Sequence, residues 1–130
     1  MSERKIPAPY TPSILLVDDE DEVRGAFHRV LEELGYYIVE AANGRQAENA
    51  VSDRFFDLVV LDLSMPDEDG IELIRRFRVH LPQVKFLAVS GFMRGSFLHI
   101  ARKLGASSVL QKPVSEEVLV KAVCGVLAGN

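Results

Sequence analysis

Four stretches of this chain place groups capable of chemistry directly after a strand-like run. Ser13-Ile14-Leu15-Leu16-Val17 leads into five acids, Asp18-Asp19-Glu20-Asp21-Glu22. Leu58-Val59-Val60-Leu61 leads into Asp62, then Ser64, Met65, Pro66, Asp67 and Gly70. Val84 to Val89 delivers Ser90-Gly91, and Ser107 to Gln111 delivers Lys112-Pro113. A short run of branched apolar residues bounded by turn signals reads as a buried strand, so each polar group stands at a strand's carboxyl end. Ligands collect outside those ends in open parallel sheets, which makes a carboxylate there a candidate for chemistry. Glu20, Asp21 and Glu22 also fit a helix amino terminus, where acids favour the dipole. Adjacent Asp18 and Asp19 fit it less well, because crowded carboxylates repel one another unless a cation or another compensating group is present.

The elements that must position these groups follow from periodicity. Val23, Ala26, Phe27, Val30, Leu31 and Leu34 form one helical stripe, and Gly35 suits its carboxyl-terminal cap. Tyr36 to Glu40 reads as a second strand, more polar than the first and so nearer the sheet edge. Asn43-Gly44 opens a helix from Arg45 to about Asp53, and Ile71, Leu73, Ile74 and Phe77 mark another from about Gly70 to His80, stopped before Pro82. Phe97, Ile100, Ala101 and Leu104 mark a helix closing at Gly105, with Gly91 and Gly95 in the loop before it. Ser115 caps the last helix, which carries Glu116 and Glu117 in its first turn. Cys124, in that helix, reads as a small, half-buried hydrophobe. His28, His80 and His99 read as surface or interface residues. Strands alternate with helices five times, which requires a parallel, doubly wound α/β sheet with helices on both faces. Right-handed crossovers put every strand's carboxyl end on one rim, bringing together Asp18, Asp19, Asp62, Ser90 and Lys112.

With 130 residues the chain is expected to form one domain over 13–130, preceded by a flexible lead-in at 1–12 that contains three prolines. Hydrophobic residues make up 48% and charged residues 26%, which argues against disorder. A net charge of -4 gives no electrostatic reason to expect direct nucleic-acid binding. The one cysteine cannot form an internal disulfide and fits a reducing compartment. No signal peptide or membrane-spanning run is visible, so a cytoplasmic protein is expected.

Together these residues resemble the receiver domains of two-component response regulators, over about 13–128. The resemblance is carried by Asp18-Asp19, by Asp62 with Met65-Pro66 and Gly70 after it, by Ser90 with a small residue following, and by Lys112-Pro113. It implies a flavodoxin-like (βα)5 fold with strand order 2-1-3-4-5. It also implies that Asp62 is phosphorylated by a histidine kinase or a histidine phosphotransfer protein, the domain catalysing its own phosphorylation and dephosphorylation. Mg2+ would be held by Asp19, Asp62 and the Ser64 backbone carbonyl, with Asp18 holding a metal-bound water. Lys112 would pair with Asp62 and then with a phosphoryl oxygen, Ser90 would hydrogen-bond the phosphoryl group, and Pro113 is expected to be cis. A downstream effector domain or protein would read the phosphorylated state, with a phosphorylation-dependent homodimer among the expected assemblies.

The chain departs from the family at Val109, where Tyr or Phe is common. A valine has no ring to rotate, so the response is assigned to the segment from Gly91 to Phe97. The alternative is a pseudo-receiver, an interaction module without phosphotransfer, against which the complete acidic set and Lys112 argue. An aspartyl-phosphate hydrolase would need a second Asp where Ser64 stands. A flavin carrier would need a phosphate loop where the five acids lie.

Overall fold

A computed structural model describes residues 10–65, 70–91, 99, 102–103 and 105–129. Its elements are β1 (Ser13–Val17), α1 (Asp21–Glu33), β2 (Tyr37–Ala41), α2 (Gly44–Asp53), β3 (Leu58–Asp62), α3 (Gly70–His80), β4 (Lys85–Ser90), β5 (Ser108–Gln111) and α4 (Glu116–Gly129). The strands form one five-stranded parallel sheet in the order β2-β1-β3-β4-β5, as the resemblance implies. The helix expected over Phe97 to Leu104 lies largely outside the described residues, as do Pro66 to Asp69 and 1–9.

Continuous apolar runs make buried strands because both faces of the sheet are covered. Along β1, Leu15 and Val17 join one core while Ile14 and Leu16 join the other. The same alternation separates Val59 and Leu61 from Leu58 and Val60 in β3, and Phe86 and Ala88 from Leu87 and Val89 in β4. α2 and α3 close the first core with Ala47, Leu73, Ile74 and Phe77. α1 and α4 close the second with Phe27, Leu31, Leu119 and Val123. Removing one fully buried Leu or Phe side chain from either core forfeits about 2–5 kcal/mol, so both cores fix the strand register that the rim depends on.

Local signals in the sequence set the element ends. Gly35 has a φ of 98°. Its N–H bonds the Glu32 carbonyl at 2.9 Å, while the Tyr36 N–H reaches the Leu31 carbonyl at 3.4 Å. The Asn43 side chain accepts from the Gln46 N–H at 2.9 Å, and Gln46 Oε1 accepts in return from the Ala42 N–H at 2.7 Å. Ser115 Oγ accepts from the Val118 N–H at 3.1 Å, as its expected capping role requires. The second strand starts one residue later than its apolar pattern suggests, because Tyr37 N–H is the group that pairs, donating to the Pro12 carbonyl at 3.0 Å. Cys124 differs from expectation: it is exposed, since Val123 takes the inward position, and its Sγ lies 3.4 Å from the Tyr36 hydroxyl.

Gly70 opens α3 against the turn that follows Asp62. A Cβ added there would lie 2.6 Å from Leu63 Cα and 3.2 Å from its carbonyl carbon. Backbone atoms cannot step aside as a side chain can. Gly70→Ala should therefore lower stability by about 1–3 kcal/mol in chemical denaturation, despite the higher helix propensity of alanine. Unchanged or higher stability would show that this contact does not constrain the turn.

Candidate functional site

Rim groups are placed by backbone pairing that continues one residue past β1, β3 and β5. Asp18 N–H donates to the Ala41 carbonyl at 3.1 Å, Leu63 N–H to the Val89 carbonyl at 2.7 Å, and Lys112 N–H to the Ser90 carbonyl at 2.8 Å. Each polar side chain thus stands on ordered backbone rather than on a free loop. The Lys112-Pro113 peptide is cis, as expected.

Asp18, Asp19 and Asp62 each offer a carboxylate oxygen, and these oxygens all lie within 4.8 Å of one another. Asp62 is 3% exposed and Asp18 6%, whereas Asp19 faces solvent. Lys112 Nζ approaches Asp62 Oδ2 at 3.1 Å, Asp18 Oδ2 at 3.1 Å and Glu20 Oε1 at 2.7 Å. Asp19, Glu20, Asp62, Ser64, Gly91 and Lys112 line a depression at this point of the rim.

Both oxygens of Asp62 are held. Oδ1 accepts from the Ser64 N–H at 2.9 Å and from the Ser64 hydroxyl at 2.6 Å, while Oδ2 faces the Lys112 ammonium. The Gly91 N–H reaches Ser64 Oγ at 3.4 Å, which ties the end of β4 to the same carboxylate.

The electrostatics are those of crowded acids. Burial pushes the Asp18 carboxyl above its ordinary pKa, and the neighbouring Asp62 adds to the rise. The Glu20 N–H, bonded to Asp18 Oδ1 at 2.8 Å, and Lys112 oppose that rise without cancelling it. Burial also works against the charge of Lys112, but the Glu20 hydrogen bond and the Asp18 and Asp62 carboxylates outweigh it, so the ammonium is held above its usual range. Three carboxylates therefore share one ammonium at this rim, and Asp19 adds a fourth acid beside them. An all-oxygen donor set with excess negative charge fits a hard divalent cation better than a soft or nitrogen-seeking metal.

The structure brings Asp18, Asp19, Asp62, Ser64 and Lys112 together at one end of the sheet. Ser90 stands at the end of β4 beside them, but it is fully buried and does not line the depression. Val109 packs against the core shared with α2 and α3. Among Gly91 to Phe97, only Gly91 is described, so the segment assigned to the response lies otherwise outside the described residues. Two participants had no visible signal. Glu20, 92 positions from Lys112, is its nearest carboxylate partner rather than merely a helix-terminal acid. Arg24, beside the acidic run, binds the Asp18 carbonyl at 2.6 Å.

The sequence matches the family model of the response regulator receiver domain over residues 14–124. It is 39% identical over 116 residues to the sensor kinase CckA of Brucella abortus, covering 85% of this chain and 12% of the kinase. It is 32% identical over 110 residues to sporulation initiation phosphotransferase F of Bacillus subtilis, covering 85% of this chain and 89% of that protein. The crystal structure of a CheY-like response regulator receiver domain protein from Methanospirillum hungatei superimposes with a TM-score of 0.87 at 26% identity, covering 92% of this chain and 96% of the other. The chain thus spans a small part of the kinase and most of the phosphotransferase. With a family match over most of its length, and a fold and rim that agree with it, this chain belongs to the response regulator receiver domain family.

Proposed function

We propose that Asp62 is the phosphoacceptor of this receiver domain and takes a phosphoryl group from the phosphohistidine of a histidine kinase or histidine phosphotransfer protein. The observation that carries this reading is the state of Asp62 itself. It is buried, yet it lines the depression, with one oxygen held by Ser64 and the other by Lys112. Transfer forms a bond from an Asp62 oxygen to phosphorus and breaks the phosphorus–nitrogen bond, and the imidazole leaves with the electron pair. Little covalent work falls to the protein, so positioning and charge carry the rate. Ser64 fixes the rotation of the carboxylate. Lys112 offers a point charge that exchanges Asp62 for a phosphoryl oxygen. Ser90 is proposed as the phosphoryl hydrogen-bond donor.

The proposed cation is Mg2+, held by Asp19, Asp62 and the Ser64 carbonyl, with Asp18 holding a water of its shell. When bound, it would neutralise negative charge on the transferring group. The Ser64 hydroxyl, 2.6 Å from Asp62 Oδ1, is proposed to influence the rate at which the acyl phosphate hydrolyses. The proposed setting is the cytoplasm, in keeping with a single cysteine, and no helix among the described residues is long and apolar enough to cross a membrane. The proposed output is contact with a downstream effector domain or protein, including a phosphorylation-dependent homodimer.

With acetyl phosphate and Mg2+, intact-mass spectrometry should show a single phosphoryl adduct on the wild type and none on Asp62→Asn. Lys112→Ala should form it roughly a hundredfold more slowly. No adduct from acetyl phosphate or from a phosphohistidine protein would leave the pseudo-receiver as the better reading.

Because folding raises the Asp18 pKa, the metal-free folded chain binds that proton more tightly than the unfolded chain does. The contribution of this group to stability is full below the ordinary carboxylate pKa and is lost as pH rises through the raised one. At neutral pH the charged group is therefore a burden unless a cation is bound. Asp18→Asn should raise the thermal midpoint of the metal-free chain at neutral pH, and Mg2+ should raise the wild-type midpoint more than that of the variant. A lower midpoint in the metal-free variant would contradict the assignment of this cost to Asp18.

A further inference from the structure

Arg24 is a cation in the first turns of α1, and its side chain is only 12% exposed. Its guanidinium holds three acceptors. Nη1 donates to the Asp18 carbonyl at 2.6 Å, Nε to Glu40 Oε1 at 2.6 Å and Nη2 to Asp21 Oδ1 at 2.7 Å. Glu40 lies in β2, the strand beside β1, and its second oxygen meets His28 Nδ1. The guanidinium therefore spans the turn after β1, the first turn of α1 and the edge strand.

The contact with Asp18 links this network to the acidic cluster. That carbonyl belongs to the peptide joining Asp18 to Asp19, so a hydrogen bond to it fixes the plane from which the Asp19 carboxylate projects. The Asp18 carboxylate is fixed separately, through Oδ1 and the Glu20 N–H. A planar fork with several donors is suited to hold acceptors that point from different directions, which a lysine ammonium on a flexible stem does less well.

We propose that Arg24 is a positioning residue for the acidic pair, setting the Asp18–Asp19 peptide and through it the affinity of the cluster for a divalent cation. The inference rests on the reading of Asp18, Asp19 and Asp62 as a cation site. Two roles for Arg24 predict effects of opposite sign. As a bare positive charge beside the site it would oppose cation binding, and its removal would tighten binding. As a positioning group it supports binding, and its removal loosens it. Lysine separates the two roles, because it keeps the charge and loses the fork.

The test is calorimetric titration of the full chain with Mg2+, alongside the thermal midpoint of each metal-free variant. Arg24→Ala and Arg24→Lys should both weaken Mg2+ binding, by roughly tenfold for the alanine variant, in line with losses seen when groups that orient metal ligands are removed. Glu40→Gln, which leaves Arg24 in place and weakens one of its anchors, should shift affinity in the same direction by less, and it serves if the arginine variants fail to fold. Tighter or unchanged binding in Arg24→Ala, or wild-type affinity in Arg24→Lys, would overturn the proposal. A wild type that bound no Mg2+ would overturn it together with the cation-site reading. Failure of the phosphoacceptor reading is seen separately, as a wild type that binds Mg2+ but takes up no phosphoryl group.

Discussion

Two carboxylates, Asp18 and Asp62, are buried within reach of a single ammonium, Lys112. Buried charges are costly unless paired and hydrogen-bonded, and like charges side by side are costlier still. Every other feature of the rim answers to that cost. Ser64 supplies two donors to Asp62, and the Glu20 N–H supplies one to Asp18. Burial first, and the neighbouring Asp62 after it, still hold the Asp18 pKa above its ordinary value despite these partners. A site with unbalanced negative charge and ordered oxygens is prepared for a cation and, with it, for an anionic group that the acids alone would repel.

The sheet makes this arrangement stable enough to persist. β1 and β3 are neighbours at its centre, buried on both faces, so Asp18 after β1 and Asp62 at the end of β3 are fixed relative to one another by the deepest part of the fold. β5 brings Lys112 to the same rim through one further backbone bond, to the Ser90 carbonyl, and Gly91 follows β4 there with its N–H toward Ser64 Oγ. The edge strand β2 contributes differently. It carries Glu40, which anchors Arg24 and so reaches the acidic turn from outside. The center of the sheet sets where the acids are, and the edge bears on how one of their peptides is turned.

Much of this was legible in the chain. Asp18 and Asp62 each follow an apolar run and Lys112 a short strand-like one, and the alternation of strands with helices leaves a parallel sheet as the arrangement that covers both faces. Gly35, Asn43 and Ser115 mark helix ends through bonds that act within a few residues, which is why sequence spacing finds them. The unread parts depend on distance in sequence or on side-chain direction. Nothing local links Glu20 to Lys112 or Arg24 to Glu40, since those pairs meet only once the sheet forms. Ser90 was placed correctly along its strand, but strand position does not say how exposed a side chain is. It shares the alternation of Phe86 and Ala88, which face the core, and it is buried. Cys124 follows the same logic on a helix, where one step from the inward Val123 brings it to the surface.

The buried carboxylate at the end of β3, and no other acid of the rim, is proposed to receive the phosphoryl group. Borohydride reduces an aspartyl phosphate to homoserine and leaves free carboxylates alone, so peptide sequencing by mass spectrometry after phosphorylation and reduction reads the acceptor directly. Homoserine is expected at Asp62 alone. Homoserine at Asp18 or Asp19, or none at any acid in a chain shown to carry phosphate, would contradict it.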